Sequence, residues 1–167
     1  MKTCVHIQSI YHCSLEQAFK TPMLSDLSKV HTGFLIMPKV THTTEDADWG
    51  QIGSSKKVHV AKSLTQKGGW ASNDNVLERI ENKYWKIEVN QFQAWMLSFT
   101  KFVGEWQCTE LEPNKILIDY TYTMYSNNLL LYPLNWLFTK TFWRIYMKRV
   151  LENIRMMIKN EEPYVYK

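Results

Sequence analysis

Glu78 is the charged residue whose position would matter most chemically. Val76 and Ile80 flank it at a spacing of two, so unbroken strand alternation would carry its carboxyl onto the covered face of a sheet. Desolvation there raises a carboxyl pKa, and Glu78 could then orient a ligand or act as a general base. The preferred reading of this stretch is different: a bulge or register slip turns Glu78 outward beside Arg79 and Lys83, because Glu is rarely buried. Cys4, His6 and His12 share one strand face with Cys13 adjacent, but their spacing lacks the Cys-x-x-Cys or His-x-x-x-His pairs of zinc sites. No metal is expected. His31, His42 and His59 are isolated, and no Ser or Cys sits in a G-x-S-x-G turn. Neither G-x-G-x-x-G nor G-x-x-x-x-G-K-[ST] occurs, so no triad, nucleotide or other cofactor is expected.

The chain that must position these groups has 167 residues, 45% apolar and 14% aromatic, which is one ordinary domain spanning 1–167. Its net charge of +4 is dispersed rather than gathered on one motif, so nucleic acid is not an expected partner. The opening MKTCVHIQSIYHC interleaves polar residues too early for a secretory signal, and three cysteines at no framework spacing fit reduced thiols. A cytoplasmic location is expected. The apolar run from Leu129 to Met147 is broken by Pro133, Lys140 and Arg144, too short for a membrane span.

Thr3 to His12 alternates Val5, Ile7, Ser9 and Tyr11 against polar residues and reads as a strand at or near a sheet edge. Ser14 and Gln17 form a capping box for a short helix that stops near Thr21-Pro22, and a second short helix follows through Leu24, Leu27 and Val30 to Gly33. Strands are then expected at about 34–43, 56–63, 70–81, 84–92, 95–109 and 115–126, with Gly-, Pro-, Asn- and Asp-rich breaks suited to sequential antiparallel hairpins.

Residues 129–162 read as one long helix with Pro133 first, where its missing N–H costs nothing. Trp136, Trp143, Met147, Val150, Leu151, Ile154 and Ile158 recur at spacings of one helical face, the expected core stripe. Leu134, Leu137, Phe138, Phe142 and Ile145 make a second apolar face on the opposite side. Coverage of that face by the chain itself or by a homodimer is expected ahead of peripheral contact with a membrane, because the basic set Lys140, Arg144 and Lys148 is small.

This order of elements resembles the helix-grip fold of the SRPBCC superfamily, which includes START lipid-binding domains, the major birch-pollen allergen and polyketide cyclase-like proteins. The residues that carry the resemblance are YHCSLEQAF (11–19), WGQIGSSKKV (49–58) and VLERIENKYWKIEV (76–89), together with the overall order. It implies an α+β fold: a seven-stranded curved antiparallel sheet wrapped around a long C-terminal helix, with two short helices after the first strand.

The resemblance also implies an apolar cavity between sheet and helix that binds a small hydrophobic or amphipathic molecule such as a lipid, sterol or polyketide. The inward set of Trp85, Ile87, Val89, Phe102, Trp106, Tyr120, Tyr122 and Met124 suits such a site, with Trp136, Trp143 and Met147 facing it from the helix. The same pattern also describes a core simply filled by side chains. A polyketide cyclase- or dehydratase-like enzyme is the alternative function, with Glu78, His59, Tyr120 or Tyr122 moving protons. A membrane-surface or protein-interaction module is a third.

Overall fold

Strict alternation of apolar and polar residues builds a seven-stranded sheet in the computed structural model, which describes residues 1–63 and 66–166. The strands are β1 (Lys2–Tyr11), β2 (Val40–Glu45), β3 (Ser55–Val60), β4 (Gly69–Ile80), β5 (Tyr84–Asn90), β6 (Phe99–Glu112) and β7 (Lys115–Ser126). They lie in the order β1-β7-β6-β5-β4-β3-β2 with every pair antiparallel, so β2 to β7 form successive hairpins and β1 is an edge strand beside β7. Two expected strands begin later than their composition suggests. Residues 34–37 close a tight turn, with Phe34 and Met37 exchanging backbone hydrogen bonds and Leu35 at φ 51°. Residues 95–98 form a loop in which Leu97 and Ser98 adopt φ 53° and 61°. These left-handed positions interrupt extended backbone in spite of the apolar side chains.

Two short helices, α1 (Leu15–Leu24) and α2 (Leu27–Val30), follow β1. The capping box forms: the Gln17 N–H donates to Ser14 Oγ at 3.1 Å, and the Ser14 N–H donates to Gln17 Oε1 at 3.1 Å. Helix α1 runs through Pro22 instead of stopping there. Pro22 has no N–H to return to the Ala18 carbonyl, and Trp106 Nε1 donates to that oxygen at 3.2 Å. One residue on, Trp85 Nε1 donates to the Phe19 carbonyl at 2.9 Å. Two indoles from the sheet thus hold α1 across its concave side.

The C-terminal helix has two parts, α3 (Tyr132–Phe138) and α4 (Arg144–Lys159), joined without a break by a π-helical turn over Thr139–Trp143. The extra residue of a π turn rotates everything before it by about 100° relative to an unbroken α-helix. The core stripe holds from Trp143 through Met147, Val150, Leu151 and Ile154, and then shifts to Met157 with Ile158 only partly buried. Upstream of the π turn the expectation fails: Asn135 and Thr139 are fully buried, and Trp136 is 49% exposed. Spacing alone paired Trp136 with Trp143, and the inserted residue separates them. On the outer side, Phe34 packs on Phe142 at 5.6 Å between ring centroids and Phe99 on Phe138 at 5.9 Å, whereas Leu134, Leu137 and Ile145 remain exposed.

The buried Thr139 hydroxyl donates to the Asn135 carbonyl at 2.7 Å and lies 2.8 Å from Thr3 Oγ1, which is buried as well. Thr139→Val strands the Thr3 hydroxyl and is expected to cost about 1–3 kcal/mol. Trp136→Ala is expected to stay within about 0.5 kcal/mol, as exposed positions do. Urea unfolding of the two variants checks this inversion of what side-chain size alone would suggest; a larger loss at Trp136 would mean its indole is packed.

Candidate functional site

The sheet and helix enclose two adjoining hollows. The larger, about 110 Å³, lies among Val58 and Val60 of β3, Ala71, Ser72 and Asp74 of β4, Val89 of β5, Phe102 of β6, Tyr122 of β7, and Trp143 and Tyr146 of the helix. Leu27, His31, Met37, Pro38 and Val40 wall one side, and Phe92, Ala94 and Met96 another. The smaller, about 40 Å³, shares Leu27, His31, Asp74 and Tyr122 with the first and adds Trp49, Lys56, Ile87, Trp106 and Tyr120. Strand alternation explains the lining: Lys56, Val58 and Val60 project to one face of β3, and Ser72, Asp74 and Val76 to one face of β4. Gly104 makes room for Tyr122, since a Cβ there would stand 3.1 Å from its ring.

Polar groups concentrate where the two hollows meet. Asp74 makes no hydrogen bond and no ion pair among the described residues, although Lys56 is its cross-strand neighbour in the β3–β4 register. The buried Lys56 ammonium sits 4.0 Å from the centroid of the Trp49 ring and makes no hydrogen bond among the described residues. His31 Nδ1 and the Tyr146 hydroxyl share a hydrogen bond at 2.7 Å. Trp143, which lines the larger hollow, has a buried Nε1–H without a partner among the described residues. An unpaired acceptor therefore borders an apolar space, and an unpaired indole N–H is buried within its wall.

Burial shifts these groups toward neutrality. Desolvation pushes the Asp74 carboxyl up to about 6 against the opposing pull of Lys56, and pushes Lys56 down to about 8. His31 falls to about 4 through desolvation and the Lys56 charge, which keeps its imidazole neutral at physiological pH. The Tyr122 phenol rises to about 12, and those of Tyr120 and Tyr146 rise as well, all chiefly through desolvation. Asp74 alone among these groups is set to exchange its proton just below neutral pH.

Of the residues singled out in the sequence, Val89, Phe102, Tyr122 and Trp143 line the larger hollow, and Ile87, Trp106 and Tyr120 the smaller. Trp85, Met124 and Met147 are buried among core side chains without bordering either, and Trp136 lies outside. Glu78 is on the outer surface, where Lys86 Nζ donates to Glu78 Oε1 at 2.8 Å. A bulge between Val76 and Glu78 reverses the alternation, turning Arg79 inward over Trp85, with 4.7 Å between guanidinium carbon and ring centroid. His59 lies on the opposite face of β3 from Val58 and is not isolated, since its ring stacks on His42 at 4.3 Å. His6 pairs with Asp119 at 2.9 Å on the outer face.

Sequence reasoning missed Asp74, Lys56 and Tyr146 and passed over His31. Counting back by two from Val76 reaches Asp74, and counting back from Val58 reaches Lys56, so alternation contained both. The contact between His31 and Tyr146 spans 115 positions and leaves no local trace.

No protein-family model matches this sequence, and no curated protein matches it either. Solved structures do resemble it in fold. Ara h 8.0201 superposes with a TM-score of 0.73 over 96% of this chain and 99% of its own, at 10% identity. A protein of unknown function from Staphylococcus aureus, SA2116, gives 0.73 over 96% of each chain at 14% identity. A norcoclaurine synthase point mutant from Thalictrum, in complex with a transition-state analogue, gives 0.70 over 96% of each chain at 9% identity. With its seven strands, two short helices and gripped C-terminal helix, the chain shares the helix-grip fold of these structures.

Proposed function

We propose that this protein binds a small amphipathic molecule of about one ring in the hollow between sheet and helix, its polar group turned toward Asp74. The observation that carries this is an unpaired carboxyl bordering an otherwise largely apolar space. A ligand hydroxyl, amide or amine would give Asp74 the donor it lacks. Size argues for one ring: the hollows are on the scale of the roughly 150 Å³ cavity that accepts benzene, far short of a sterol or a lipid chain. Three unpaired cysteines, two of them buried, fit a reducing compartment. The further reading, a cyclase- or dehydratase-like enzyme, has one supporting feature: a carboxyl that exchanges its proton near neutral pH beside phenols can serve as general acid or base. The similar fold of an enzyme that holds a transition-state analogue is compatible with it.

Ligand-observed NMR with phenol, aniline and toluene tests the binding reading. Saturable uptake is expected, with toluene weaker than the two donors. Ala71→Leu, which fills the larger hollow, should lower affinity at least about tenfold. Asp74→Asn should weaken phenol and aniline and leave toluene unchanged. Absence of saturable uptake for all three probes would remove the proposal.

A further inference from the structure

We infer that the apolar rim around the cavity mouth is a docking surface for an anionic lipid bilayer. Beside the larger hollow lies an open groove of about 130 Å³ walled by Ile36, Trp95, Leu97, Phe99 and Phe138, and the two spaces share Met37, Gln66 and Met96. Large apolar side chains project around it: Leu35 is 79% exposed, Trp95 70%, Leu129 74% and Leu130 91%. Phe99 pairs with Ser126, so the chain leaves β7 for Leu129 and Leu130 beside the loop that carries Trp95. A contiguous rim of this kind is unusual for a surface that meets only water.

Charge selects the occupant. The residues that line the groove fall in the sequence stretches 34–39, 61–68, 91–99 and 129–149, and these stretches hold seven of the chain's 20 Lys and Arg but none of its 16 Asp and Glu. The bases are Lys39, Lys62, Lys67, Lys140, Arg144, Lys148 and Arg149, of which Lys140 is turned away to donate to the Cys4 carbonyl on β1 at 2.6 Å. A second copy of this chain would set two such carboxylate-free basic surfaces against each other, which disfavours self-association through the rim. Anionic head groups complement it, with Trp95 suited to the interface and the leucines to the acyl boundary. The single helix face considered from sequence was too weakly basic to favour a membrane. The fold adds three more segments to it.

Flotation of the full-length protein with vesicles of phosphatidylcholine, with and without phosphatidylserine, tests the inference. Binding to the anionic vesicles that declines with added salt is expected. Leu35→Asp with Trp95→Asp should lower partitioning at least about tenfold. Lys39→Glu with Lys67→Glu should do the same on anionic vesicles only. All four residues are exposed, so the variants should unfold at the wild-type temperature and still take up phenol, which separates this test from that of the cavity. Failure of the wild type to bind anionic vesicles at low salt, or unchanged binding by both variants, overturns the inference. So does a concentration-dependent dimer that the Leu35 and Trp95 changes dissolve, since that would assign the rim to a second copy.

Discussion

Trp85→Ala is expected to lower the unfolding free energy by about 3–5 kcal/mol. The indole is completely buried, stacks on Phe19 at 4.8 Å, donates to the Phe19 carbonyl and lies under the Arg79 guanidinium. Alanine removes the ring that holds α1 to the sheet and leaves a hole that neighbouring strands cannot close. Against a total stability of about 5–15 kcal/mol for a domain, this is a large fraction. Trp85→Phe keeps most of the volume and loses the N–H donor, so about 1 kcal/mol is expected. Urea curves of both variants, read at the midpoint with an unchanged slope, measure the difference. A loss below about 1 kcal/mol for alanine would show that α1 is held elsewhere. Since Trp85 borders neither hollow, the folded alanine variant should bind phenol as the wild type does.

Asp74→Asn is expected to stabilise the protein at pH 7.5 by about 3 kcal/mol and to have little effect at pH 3.5. The folded carboxyl titrates at about 6 rather than 3.8, because burial disfavours its charge. Between those values the folded protein holds a proton that the unfolded chain has released, so stability falls as pH rises through the window. The difference of about two pKa units corresponds to about 3 kcal/mol, and asparagine, uncharged at every pH, escapes it. Lys56 has the complementary dependence. Its pKa falls from 10.5 to about 8, so the cost of its buried charge is present below pH 8 and is relieved as pH rises toward 10.5. Urea unfolding at the two pH values decides the matter for Asp74. Equal stability of wild type and variant at both would mean that water reaches the carboxyl freely. A stabilised variant that also loses affinity for phenol would identify Asp74 as a group retained at a thermodynamic cost for binding.

The sheet was legible because its signals are local: period-two alternation set the strands and short polar breaks set the hairpins. Both late-starting strands, β2 and β6, are preceded by apolar runs that left-handed Leu35, Leu97 and Ser98 bend into loops, and nothing in side-chain hydrophobicity records that bend. The outward turn of Glu78 was the preferred reading from the sequence, because a bulge relieves a buried, unpaired carboxylate, and the bulge is there. Asp74 was hidden by composition. Serine, asparagine and aspartate in SNDN lie inside the expected strand and in the middle of β4, but a run with no apolar residue gives no sign of which face is inward. A polar stretch kept in strand geometry beside apolar partners is the mark of a wall that faces something other than core. Pairings such as His31 with Tyr146, or Trp106 with Ala18, depend on how distant segments meet and have no signature along the chain.

The π turn at Thr139–Trp143 works as a phase joint. In a register kept throughout as an α-helix, Trp136 would swing inward beside Phe102 and Tyr122, its indole competing for the volume that now stays open, and the outer leucines would turn away from the cavity mouth. One inserted residue instead gives the two ends of a single rod separate orientations, α4 serving the core and α3 the opening. Deleting Lys140, the exposed residue inside the joint, would therefore turn the rod into plain α-helix with both ends still facing as they do, whereas winding the undeleted sequence as α-helix throughout would close the hollow.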